Sequence, residues 1–98
     1  MRTIYKYPLK YSTQLIQSVV MPIGARVIHC AMQGTSPTMW AEIGLDALKE
    51  GQEVRKFLLY PTGGIINADK SIHIGTVLDR DFVWHIYEVT GDGSTRKN

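Results

Sequence analysis

Apolar residues recur at every second position of this chain over short runs, and most runs end at proline or glycine. A period of two belongs to strands with one half-buried face, whereas a helix repeats every third or fourth residue. The spacing predicts strands over Thr3 to Tyr7, halted by Pro8, and over Leu15 to Val20, closed by Met21-Pro22-Ile23-Gly24. Further strands are expected over Ala25 to Gln33, Thr38 to Ile43, Glu53 to Tyr60, Ile72 to Leu78 and Phe82 to Val89. Leu45 to Glu50, stopped by Gly51, has the makings of one helical turn and is too short to persist alone. Parallel strands need long crossover connections, which are missing here. The expected fold is therefore all-β, a small antiparallel sandwich or barrel of about seven strands with at most one short helical turn.

A chain of 98 residues supports one hydrophobic core, so residues 1–90 are read as a single β domain. Residues 91–98 contain no apolar side chain and are expected to form a flexible tail. In the third run Val27, His29 and Ala31 alternate with Ile28, Cys30 and Met32. Both sets are mostly apolar, which predicts a central strand covered on two sides, with His29 in the core. In the fourth run Met39, Ala41 and Ile43 share one face, and Thr38, Trp40 and Glu42 share the other. Phe57, Phe82 and Trp84 are assigned to the core. So small a sheet domain leaves edges and faces to cover, which predicts a homo-oligomer.

Composition sets several expectations of exclusion. Cys30 is the single cysteine, so neither an internal disulfide nor a zinc site built on cysteine pairs is expected, in keeping with a reducing compartment. No apolar run reaches the roughly 18 residues of a membrane span, and the opening Met1-Arg2-Thr3-Ile4-Tyr5-Lys6 does not read as a signal peptide. The net charge is +2, with no basic run of the kind that grips duplex nucleic acid. Its distribution is uneven: residues 1–41 carry Arg2, Lys6, Lys10 and Arg26 with no acid, and residues 42–98 sum to −2. If the early strands share a face, that face is positive and suits a small anion. His29, His73 and His85 lack the close spacing of metal ligands. No nucleophile elbow, cysteine–histidine pair or glycosidase-type carboxylate pair is evident, so neither catalysis nor a cofactor is expected.

The residues that suit ligand binding are Trp40, Arg55, Tyr60, Thr62, Gly63, Gly64 and His85. Trp40 shares its strand face with Thr38 and Glu42, where an indole can stack on a base for about 1–3 kcal/mol. Arg55 has the planar fork for phosphate, or alternatively a surface ion pair with Glu42 or Glu53. Thr62-Gly63-Gly64 reads either as backbone N–H groups turned toward an anion or as an ordinary turn. His85 and Tyr60 would add hydrogen bonds. Tyr5 and Tyr7, on one face of the first strand, suit an interface or a ligand wall.

In their order, these segments resemble a family of small proteins of bacteriophages and prophages. The resemblance lies in Thr3 to Tyr7 with Leu9, in Met21-Pro22, Gly24-Ala25 and His29, and in Trp40-Ala41. It continues through Arg55, Phe57, Tyr60, Thr62 and Gly63, then Ile74-Gly75-Thr76, and closes on Val83, His85 and Glu88. Pro61 and Gly64 depart from a pattern that has a glycine and often a histidine there. The resemblance implies phage origin and a β-rich protein acting in the host cytoplasm. It further implies an anti-defence protein that sequesters, without cleaving it, a nucleotide-derived immune signal of the cyclic dinucleotide or cyclic ADP-ribose type. The alternative is a protein-binding module that inhibits a host protein or stabilises a phage assembly.

Overall fold

In the computed structural model, which describes residues 1–11 and 16–90, the alternating runs become seven strands. They are β1 (Arg2–Pro8), β2 (Gln17–Pro22), β3 (Arg26–Gln33), β4 (Ser36–Gly44), β5 (Gln52–Pro61), β6 (Ser71–Asp79) and β7 (Phe82–Val89). Single 3-10 turns, Asp46–Lys49 and Ala68–Lys70, precede β5 and β6. The predicted tail and the predicted start of the second strand at Leu15 lie outside the described residues.

The strands form two antiparallel sheets, β1-β4-β3 and β2-β5-β7-β6. Their inner faces meet in one core, to which the three-stranded sheet sends Met39, Ala41 and Ile43, as the alternation of β4 predicts. The four-stranded sheet answers with Phe57, Leu59, Val77 and Ile86, and all these side chains are at most 1% exposed. Burial on this scale stabilises by about 1.5–3 kcal/mol for each large side chain. Two-residue links close the β3–β4 and β6–β7 hairpins, and each uses positive φ, at Gly34 (61°) and Arg80 (56°).

Along one side the sandwich is drawn shut. A β-bulge in β3 between Val27 and His29 and another in β6 between His73 and Gly75 interrupt the two facing edge strands. At that seam a Cβ on Gly75 would fall 2.6 Å from Cys30 Sγ and 2.9 Å from Cys30 Cβ. Only glycine lets the two strands approach this closely.

Three expectations are corrected. β3 is an edge strand rather than a central one, because β4 pairs with both β1 and β3. His29 is exposed rather than in the core: the bulge inserts Ile28, shifts the alternation by one and turns His29 to the outer face, opposite Trp40. Phe82 is 60% exposed, because it follows the hairpin turn at the end of the sheet, where its ring stacks on Trp84 at 6.5 Å. Trp84 itself packs partly buried against the core, as expected.

Candidate functional site

The residues singled out from sequence fall in three separate places. Arg55 lies on the inner face of β5, in register with Val19, next to Phe57. Its Nε and Nη2 each donate at 2.8 Å to the Glu88 carboxylate, and Nη1 donates to the Ala25 carbonyl. The fork expected to grip phosphate is thus already filled, and by Glu88 rather than by Glu42 or Glu53. Hydrogen bonding to Glu88 holds the guanidinium pKa above its ordinary value.

Thr62, Gly63 and Gly64 form a turn and not an anion cradle. Gly64 N–H donates to the Pro61 carbonyl at 2.9 Å and Thr62 N–H to the Val83 carbonyl at 3.3 Å, so two of the three donors are spent. Gly63 takes φ +92°, the conformation such a turn requires of its third residue.

Tyr60, Thr62 and His85 come together on the outer face of the four-stranded sheet. His85 lies between two hydroxyls: Nε2 is 3.0 Å from Thr62 Oγ1 and Nδ1 is 3.3 Å from Thr76 Oγ1. Thr76 Oγ1 also lies 3.2 Å from His73 Nε2. Edge-on contacts at 5.4 Å and 5.3 Å set Tyr87 against Tyr60 and His73. None of these hydrogen bonds brings a carboxylate to orient His85, so a Ser/Thr–His–Asp arrangement is not completed. Among the described residues no group of three or more His, Cys, Asp and Glu is placed to hold a metal. Burial pushes the Cys30 thiol up to about 11, which keeps it protonated at neutral pH.

Trp40 stands on the opposite broad face, on the central strand of the three-stranded sheet. It is half-buried and paired across the sheet with Lys6 on one side and His29 on the other. The His29 ring centroid is 5.5 Å from that of Trp40. One rung along, Glu42 Oε1 accepts from Arg2 Nη1 at 3.0 Å and from Arg26 Nη2 at 3.1 Å. The hydrogen bond from Arg26, with Arg2 beside it, holds the Glu42 carboxyl below the usual carboxylate range. An open hollow of about 320 Å³ lies between Arg2, Gly24, Arg26, Glu42 and Gly44. Three cations against one carboxylate leave this face positive, in line with the acid-free first 41 residues.

Residues 1–97 match the family model described as Domain of unknown function (DUF7352). The chain belongs to that family. No curated protein and no solved structure shows a significant match to it. Within this member, sequence reasoning found Trp40 and the positive early segment separately, and it placed neither those cations nor His29 beside the indole. The signal for Arg2 and Lys6 was present in their shared alternation along β1. His29 was misplaced because a bulge leaves no mark in composition. No helix among the described residues is long and apolar enough to cross a membrane.

Proposed function

We propose that the protein binds and holds an anionic, nucleotide-derived ligand on the outer face of β1-β4-β3, without cleaving it. The observation that carries this reading is the rung Lys6–Trp40–His29, set beside Arg2 and Arg26 on one sheet face. An indole flanked by cations offers both things a nucleotide presents: a π-face for the base and positive charge for phosphate. Lys6 and the two arginines would take phosphate oxygens, and the Arg2–Arg26 hollow would receive them next to the base platform. In the phage setting that the sequence resemblance implies, such a ligand is a host immune signal sequestered in the host cytoplasm.

Calorimetry of the full chain with a panel of cyclic dinucleotides and cyclic ADP-ribose relatives tests this. A dissociation constant below about 10 micromolar for at least one of them is expected, since sequestration must compete with a receptor. Trp40→Ala should weaken that binding roughly five- to 150-fold, the equivalent of one lost stacking contact, and the ligand should be recovered intact. No binding to any of the panel, or equal binding by the Trp40 variant, overturns the reading.

A further inference from the structure

We infer that the outer face of β2-β5-β7-β6 is the surface through which two copies of this chain pair. Val20 and Val54 are cross-strand partners on that face and stand 53% and 60% exposed, while Leu78 at its far end is 70% exposed. Leu58 and Tyr87, also paired across strands, lie between them. Exposed apolar side chains at both ends of one face, around a polar centre of His85 and Thr76, mark a contact site on a small domain.

Charge identifies the occupant. Among the described residues, Lys56 is the one Lys, Arg, Asp or Glu that the strand register turns to this face. The opposite broad face carries Arg2, Lys6, Arg26 and Glu42. A two-fold interface lays a patch against its own copy, so net charge meets its own sign; a nearly uncharged face escapes that repulsion and a positive one does not. Nor does this face, with its single lysine, present a charge pattern to select an unrelated charged partner. Its polar centre is ready for burial, because both ring nitrogens of His85 already lie against threonine hydroxyls. The size also fits: the molecule measures 40 × 39 × 16 Å, and a footprint of roughly 800 Å² per partner covers about half of such a broad face. Pairing here leaves the two Trp40 faces on opposite outer surfaces of the dimer, open to solvent.

Light scattering and sedimentation of the full chain test the inference. The expected mass at about 100 micromolar is about 22 kDa, twice the 11.0 kDa chain. Val54→Glu and Leu78→Glu should each return the 11.0 kDa species at that concentration with an unchanged circular dichroism spectrum. Trp40→Ala should stay dimeric. For the unmodified chain, hydroxyl-radical labelling of Tyr60 and Tyr87 should fall on concentration from about 1 to 100 micromolar, which keeps the test decisive even if a variant misfolds. A monomeric chain at the higher concentration, dimers that survive both glutamates, or tyrosine labelling that ignores concentration would each overturn it.

Discussion

Removing the carboxylate charge at Glu88 should unsettle the sandwich from within. Arg55 and Glu88 are joined by two hydrogen bonds of 2.8 Å, and their side chains retain 16% and 17% exposure. Hydrogen bonds to charged groups contribute about 1.5–3 kcal/mol each, net. Breaking a fully buried pair costs about 3–5 kcal/mol, because a charge is stranded. Here some water still reaches both groups, and Glu88→Gln keeps one acceptor oxygen for the fork. The expected loss is therefore about 2 kcal/mol, a fall in Tm of roughly 8–16 °C for a domain of this size. Arg55→Met combined with Glu88→Leu should regain most of that loss, since an apolar pair of similar volume replaces a partly desolvated ionic one. Urea unfolding of the single and double variants, followed by circular dichroism, measures the coupling. Should Glu88→Gln fall within about 0.5 kcal/mol of the unmodified protein while Arg55→Met loses nucleotide affinity, the structural role given to this pair is refuted and Arg55 belongs to the ligand.

Other consequences are equally direct. Gly75→Ala pushes a methyl to 2.6 Å from Cys30 Sγ and should cost about 1–3 kcal/mol by overpacking; adding Cys30→Ala should recover part of it, and strictly additive losses would contradict the close approach of β3 and β6. The Cys30 thiol, raised by burial to about 11, should react with iodoacetamide at pH 8 only as fast as the protein unfolds, and rapid labelling of the folded chain would show it accessible. Glu42→Gln removes the carboxylate that occupies Arg2 and Arg26, so nucleotide affinity should rise roughly threefold at low salt, with the gain shrinking as salt is added. In the unmodified protein the same carboxylate has a lowered pKa, so its stabilising contribution is present above the ordinary glutamate range and disappears as pH falls through the lowered value.

The strands were legible because a period of two survives in any short run: Met39, Ala41 and Ile43 point inward as their alternation predicts. What escaped depends on contacts that span the sequence or on single-residue insertions. One bulge residue at Ile28 carries His29 from an apolar face to the side of Trp40, and another at Ile74 brings Thr76 opposite His85. Neither insertion alters composition. The partner of Arg55 lies 33 residues away and becomes its neighbour only once β5 pairs with β7. The Thr62-Gly63-Gly64 loop has the residues of an anion site, yet two of its three N–H groups are spent on carbonyls whose position only the fold reveals. Trp40 was legible as an outward aromatic, and the positive early segment as an anion-attracting face; their coincidence on one sheet is what the structure adds.

The most direct measurement is mass spectrometry of the small molecules released when protein purified from bacterial cells is heated. A nucleotide-phosphate species should leave the unmodified chain and be lost from Trp40→Ala purified in parallel. Release of nothing from either protein, or of the same species in equal amount from both, would contradict a ligand held on the Trp40 face.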